Sequence, residues 1–224
     1  MKTFVISVGG SAIVPSEIDV KFLKQLKKTV SKLSKKNKLV IVCGGGKPAR
    51  DYIKAAKHFG VSDHFASLAG IRTTKLNATL VSLIIHGNVL MPDSLKEVNQ
   101  ELRKRNVVVI GALGFHPNMT SDATAAQVSN YTNAEMFINV TDVDGLFTKN
   151  PKMHKDAKFI PKISFDDFWK IASKIKFKAG QHFVLDQAGA KIIKRHKIKT
   201  DILKGMKNLE NVIQGKSFKG TVIS

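Results

Sequence analysis

Residues Thr3 to Ser11 read TFVISVGGS, a short apolar run that ends in two glycines and a serine. Phe4, Val5 and Ile6 have the composition of a buried strand, Gly9-Gly10-Ser11 that of the turn leaving it, and a helical pattern follows. Strand, glycine turn and helix in that order bring backbone N–H groups and a helix N-terminus to the carboxyl end of a sheet. An anion such as phosphate is most easily held there. A double glycine serves equally as a plain turn, but here the device recurs. Leu39 to Cys43, LVIVC, is a fully apolar strand of the kind found inside parallel sheets. Gly44-Gly45-Gly46 closes it, and Lys47-Pro48-Ala49-Arg50 opens the next helix with proline near its first turn. Between the two units, Leu23, Leu26, Val30 and Leu33 recur at helical spacing, with lysines on the opposite face. Two such units predict an α/β fold with a doubly wound sheet that collects ligands at its strand ends.

At 224 residues the chain is long enough to bury a large core, and a single domain over residues 1–224 is expected. A hydrophobic fraction of 43% and a charged fraction of 24% are those of a soluble globular protein. The longest apolar runs are too short to span a bilayer, and Met1-Lys2 runs straight into the first strand, so neither a membrane partner nor a cleaved leader is expected. The lone cysteine, Cys43, excludes an internal disulfide framework and fits a reducing, cytoplasmic setting; within its apolar strand it reads as core. The formal net charge of +20 raises nucleic-acid binding as a class. Its lysines are dispersed, however, as in Lys21, Lys24, Lys27 and Lys28 and again in Lys170, Lys174, Lys176 and Lys178. With 2 Tyr and 1 Trp there are few stacking platforms. A lysine-rich surface that attracts anionic substrates is the expectation, and nucleic acid is not an expected partner.

Further along, Asp51 to Val89 is mostly helical in pattern, with Gly70-Ile71-Arg72-Thr73-Thr74 between two helical runs. Val89 to Met91 reads as a short strand, Asp93 to Lys104 as a helix capped by Asp93 or Ser94, and Val107 to Ile110 as a buried strand. The loop Gly114 to Ser121 is rich in Gly, Pro, Asn, Thr and Ser, and Asp122 begins an alanine-rich helix, where a carboxylate serves either chemistry or an N-cap. Met136 to Val140 is the next strand. It leads into Thr141-Asp142-Val143-Asp144-Gly145-Leu146-Phe147, whose two carboxylates suit either a metal or a tight Asp-Gly turn. Ser164 caps a helix through Trp169, Lys176 to Gln181 is a basic connection, Asp186 to His196 is helical, and Thr200 to Leu203 and Thr221 to Ile223 resemble late strands. Lys47 and Arg50 suit either phosphate oxygens or a solvated helix start. Neither glycine turn fits GxGxxG or GxxxxGK[ST]. The seven histidines do not fall at metal-site spacing, and no protein-held metal is expected.

Taken together, VGGS at Val8 to Ser11, GGGKPAR at Gly44 to Arg50 and GIRTTKLNA at Gly70 to Ala78 resemble the amino acid kinase superfamily, and within it the archaeal-type uridylate (UMP) kinases. The likeness continues through FHPNMTSDATAA at Phe115 to Ala126, TDVDGLFTKNPK at Thr141 to Lys152, AGQHFVLDQAGAKII at Ala179 to Ile193 and GTVI at Gly220 to Ile223. These pieces follow the family's order over nearly the whole chain.

The resemblance implies a three-layer α/β/α sandwich with a mostly parallel central sheet. It implies transfer of the γ-phosphoryl of ATP to UMP, with Mg2+ accompanying ATP, in a homohexamer. By the same likeness Ser7, Val8, Gly9, Gly10 and Ser11 cradle ATP phosphates with Gly45 and Arg50, while Thr141, Asp142, Phe147 and Asn150 line the nucleoside side of ATP. Gly44, Ser67, Phe115, His116, Pro117, Asn118, Met119, Thr120 and Ser121 would surround UMP, and Asp122 would organise the reaction centre. Asp122 suits the ordering of cations better than general-base work, because a phosphate acceptor is already anionic. Ser7 stands where many superfamily members carry a lysine that bridges the two phosphates, so Lys47 or a lysine from Lys176 to Lys178 has to supply that charge. Ser67 stands where the family usually has an aspartate for the UMP ribose, and the run Gly111 to Phe115 is one residue longer than the usual turn. Kinases of the superfamily that use another small phosphate or carboxylate, and a weakly active nucleic-acid-binding relative, are the alternatives. An isopentenyl phosphate kinase fits less well, because Lys47 and Pro48 stand where its histidine follows the triple glycine.

Overall fold

The opening apolar run forms β1 (Lys2–Val8), and its alternation divides the interior in two: Phe4, Ile6 and Val8 point into one core, Val5 into the other. The computed structural model describes residues 1–116, 119–149, 151, 153–174 and 185–224. After β1 come α1 (Gly10–Ile13), α2 (Val20–Leu33), β2 (Asn37–Cys43), α3 (Gly46–His58), α4 (Asp63–Ile85), α5 (Leu95–Lys104) and β3 (Val107–Ile110). The chain continues through α6 (Ser121–Tyr131), β4 (Met136–Thr141), β5 (Leu146–Phe147), β6 (Phe159–Ile160), β7 (Lys162–Ile163) and α7 (Phe165–Ala172). It ends with α8 (Gln187–His196), β8 (Thr200–Lys204), α9 (Met206–Ile213) and β9 (Gly220–Ile223).

Seven strands make one sheet in the order β3-β2-β1-β4-β8-β9-β7, and β5 pairs with β6 in a separate ribbon. β1 lies between β2 and β4 in parallel register, Val5 opposite both Val40 and Phe137. Strands covered on both faces have no polar side to show, which is why β2 reads as an unbroken apolar run. One core joins β1 and β2 to α2, α4 and α9 through residues such as Leu26, Ile41, Val81 and Leu209; the other joins them to α5, α6, α7 and α8 through Val42, Leu102, Val128, Phe168 and Ile193. The layers are therefore helix, sheet, helix. β8 and β9 pair antiparallel, which reverses β9 and its partner β7 against the five parallel strands.

Two local expectations change. Gly70 to Thr74 does not separate two helices but lies inside the continuous α4, where the missing side chain of Gly70 leaves room for Ile53 of α3: a Cβ there would sit 3.0 Å from its Cδ1. Val89 to Met91 is not a strand. Asn88 occupies the edge instead: its amide donates to the carbonyls of Val109 and Leu90 (both 2.9 Å), and its Oδ1 accepts the Val109 N–H at 2.6 Å. One side chain thus satisfies both outward backbone groups of Val109 and leaves Val89 and Leu90 exposed. At α5 the choice between the two candidate caps falls to Ser94, which accepts from the Glu97 N–H, while the Asp93 N–H donates to the Glu97 carboxylate.

Because Asn88 is buried and answers for both outward backbone groups of Val109, its replacement leaves that buried pair without a partner. Asn88→Ala is expected to cost about 2–3 kcal/mol, a fall of roughly 5–10 °C in Tm for a chain of this size. Calorimetry decides this; a shift under about 2 °C would show that the loop repairs itself.

Candidate functional site: two glycine turns beside a half-buried aspartate

At the carboxyl ends of β1 and β2 the two glycine turns meet backbone to backbone. A Cβ on Gly10 would lie 2.0 Å from the nitrogen of Gly46, and one on Gly44 would lie 2.4 Å from the nitrogen of Gly10. Gly46 also adopts φ +69, a conformation that favours glycine. The Gly44 N–H donates to the Val8 carbonyl, and the Lys47 N–H donates to the Val14 carbonyl, so the second turn is tied at both ends to the first unit. α1 and α3 both begin here without side-chain caps. The N–H groups of a helix start have no carbonyl of their own helix to pair with, so the junction presents donors suited to phosphate oxygens.

α4 holds this junction and the next loop in one piece. Asn77, buried on its inner face, donates to the carbonyls of Gly44 (2.8 Å) and Gly45 (3.1 Å). One turn earlier, the Thr74 hydroxyl accepts the Ala112 N–H at 2.8 Å, where Gly111 passes against the helix backbone. Asp93 then receives the Gly114 N–H (2.8 Å) and the Lys75 ammonium (2.5 Å), setting the bend before Phe115. The Phe115 ring stands edge-on to His64 of α4, with centroids 5.3 Å apart. Ser67 turns inward on its own helix and donates to the His64 carbonyl. His116 follows Phe115 at the surface, and its carbonyl accepts the Met119 N–H; Pro117 and Asn118 lie outside the described residues.

The loop ends at Thr120, and Thr120, not Asp122, caps α6: its hydroxyl oxygen accepts the N–H groups of Asp122 (3.1 Å) and Ala123 (3.4 Å). Asp122, relieved of capping, turns its carboxylate toward the sheet, where the fully buried Ser7 donates to it at 2.7 Å. Ser121 sits at the first helical position beside it. Desolvation pushes the Asp122 carboxyl up to about 7; the Ser7 hydrogen bond works against this, and the negative charge of Asp186 adds to it.

Of the cations named from the sequence, Lys47 is exposed and pairs with Asp51 one turn along α3. Arg50 is half-buried, and among the described residues no carboxylate pairs with it. Lys176 to Lys178 lie outside the described residues. On the far side of β4, Thr141 donates weakly to Asp142 at 3.4 Å, and Phe147 packs on Phe159 at 5.4 Å between centroids. Asp144 pairs with Lys219 at 2.6 Å, and Gly145 lies tight against Thr221 of β9. Asn150 is outside the described residues. No group of three His, Cys, Asp or Glu side chains able to hold a metal occurs among the described residues. Cys43 is buried core and its thiol is pushed up by desolvation, as its apolar strand suggested.

The residues missed in the sequence are the ones that hold others in place: Asn77, Thr74, Asp93 and Asp186. Asn77 leaves a trace, a polar side chain on the buried stripe of α4 beside Ala78 and Val81.

A sequence profile described as the amino acid kinase family matches residues 2–204. The uridylate kinase of Thermococcus kodakarensis is 36% identical over 224 residues, covering 98% of each chain. That of Archaeoglobus fulgidus is 36% identical over 222 residues, covering 98% of this chain and 99% of its own. The crystal structure of the Archaeoglobus fulgidus uridylate kinase superposes with a TM-score of 0.88 over 100% of both chains at 34% identity. The UMP kinase of Ureaplasma parvum shares the fold with a TM-score of 0.82 at 21% identity, over 100% of this chain and 98% of its own.

The raised Asp122 carboxyl has a consequence for stability. An acid whose folded pKa lies above its unfolded value of about 4 favours the fold when protonated, so its contribution declines as pH rises from about 4 to about 7. Asp122→Asn, which keeps an acceptor for Ser7 but cannot ionise, is expected to melt higher than the parent at pH 8 and at nearly the same temperature at pH 4. Thermal melts across that range check it; a variant less stable at pH 8 contradicts it.

Proposed function

The chain belongs to the amino acid kinase family, and from that premise we propose that it transfers the γ-phosphoryl group of ATP to UMP, giving UDP and ADP. The observation that carries the acceptor is full-length likeness to uridylate kinases at about 36% identity. Phosphoryl transfer asks a protein for in-line positioning and for neutralisation of oxygen charge, with little covalent help. A backbone junction rich in N–H donors, rigidly held by Asn77, suits that demand.

In this reading Ser7 to Ser11, Gly45 and Arg50 take the phosphates of ATP, and Thr141, Asp142, Phe147 and Asn150 its nucleoside. Gly44, Ser67 and the loop Phe115 to Ser121 take UMP. Asp122, held in place by Ser7, becomes a negative point as cationic side chains gather around the transferring group, and it orders them; Lys47, freed from Asp51, is one of them. Mg2+ brought in with ATP would neutralise phosphate oxygen charge beside the donors of the glycine junction, a role that suits an ion bound largely through substrate phosphates. Residues 1–224 act as one domain. The chain works in the cytoplasm in pyrimidine nucleotide synthesis, a setting that suits its buried thiol and the absence, among the described residues, of a helix long and apolar enough to cross a membrane. It assembles as a homohexamer, for which Phe59, Phe65, Leu76 and Leu83, exposed along α3 and α4 and their junction, offer apolar surface.

A coupled ADP-release assay across UMP, CMP, dTMP, carbamate and isopentenyl phosphate is expected to give turnover with UMP alone. Turnover only with another acceptor would replace the proposal, and none with any acceptor, joined to salt-sensitive RNA binding, would remove it. In the same assay Asp122→Asn is expected to lower kcat by about 100-fold or more without lowering Tm; unchanged turnover would take Asp122 out of the reaction centre.

A further inference from the structure

Two helix starts meet beside the glycine junction, and one carboxylate joins them. Asp186 caps α8, its Oδ1 accepting the Gly189 N–H at 2.7 Å. Its other oxygen, Oδ2, accepts the hydroxyl hydrogen of Thr120, the cap of α6. That hydroxyl has a single proton, so its donation to Asp186 leaves the oxygen lone pairs facing the N–H groups of Asp122 and Ala123. The first turns of the two helices run close together: a Cβ on Gly189 would lie 3.4 Å from the Ala123 nitrogen and 3.5 Å from the Asp122 carbonyl carbon. From Asp186 a continuous chain of hydrogen bonds runs to Thr120 and the Asp122 backbone, and the Asp122 carboxylate then reaches Ser7 in β1.

We infer that Asp186 is a positioning residue for the phosphoryl transfer: by orienting the Thr120 hydroxyl it fixes the start of α6, and with it the direction of the Asp122 carboxylate. The inference rests on the proposed kinase reading. Capping α8 explains only one of its two oxygens. The bond to Thr120 crosses between helices and ends at the residue beside the reaction centre. Asp186 also acts on Asp122 by charge. α6 packs against β1, β2, β4, α5 and α8. From β1 the group facing Asp122 is the uncharged Ser7, and from the start of α8 it is Asp186, whose repulsion holds the Asp122 proton more firmly. No cation pairs with Asp122 among the described residues.

Two variants separate this role from plain capping. Asp186→Asn keeps a capping oxygen and an equal reach but loses the charge. Asp186→Ser keeps a capping oxygen but is too short to meet Thr120. The first readout needs no substrate: carboxyl carbon NMR of the free full-length protein, following the titration midpoint of Asp122. Asp186→Asn is expected to lower that midpoint measurably. The second is steady-state kinetics with ATP and UMP, in which Asp186→Ser is expected to lower kcat about tenfold or more while the KM for ATP stays within about twofold of the parent. An unchanged Asp122 midpoint in Asp186→Asn overturns the inference. So does full kcat in Asp186→Ser with only a lowered Tm. If the parent protein shows no turnover with UMP, the kinase reading fails on its own, and the NMR arm still decides whether Asp186 governs Asp122.

Discussion

Between Gly10 and the Gly44–Gly46 turn there is no room for a single methyl group, and that contact governs the rest of the architecture. For the turns to touch, β1 and β2 must be neighbours in parallel register with their carboxyl ends level, as Val8 opposite Cys43 makes them. α1 and α3 must then start from the same point, and α4 must lie close enough for Asn77 to hold the Gly44 and Gly45 carbonyls from below. Backbone approaching backbone gives a surface of peptide dipoles that side chains neither block nor displace. That suits a phosphate chain, whose charge is spread over many oxygens and is met best by several fixed donors.

A second constraint acts across the sheet. Ser7 is the one hydroxyl among the apolar residues from Phe4 to Val8, and it is spent on Asp122. A hydroxyl contributes direction without charge, so it holds the carboxylate but offsets only part of the desolvation that raises it to about 7. A lysine at this position would do both. Among the described residues Asp122 is therefore a carboxyl only partly compensated, of the kind that serves function at the expense of the fold.

Much of this was legible in the amino-acid order because the strands are short, apolar and followed by glycine. β1, β2, β3 and β4 appear where the apolar runs stand, and the cap Ser164 appears where a short polar residue precedes a helical period. What was not legible depends on partners distant in sequence. Gly70 resembles a break until α3 is seen lying against it; Val89 to Met91 resembles a strand until Asn88 is seen taking the edge. The brief strands β5, β6 and β7 have two residues each, too few for any period to show. In the site, glycines and Asp122 announce themselves by type. Asn77, Thr74 and Asp93 do not, since their work is done on backbone atoms tens of residues away.

The Asn88 side chain has one more effect. β3 is an outer strand of the seven-stranded sheet, and an outer strand offers unpaired N–H and C=O groups to any extended segment that drifts past. By engaging both such groups of Val109 with one amide, the chain closes the middle of a four-residue edge without a covering strand. A protein with such apolar strands thereby withholds the template on which copies of itself, crowded during synthesis, would otherwise stack into aggregates.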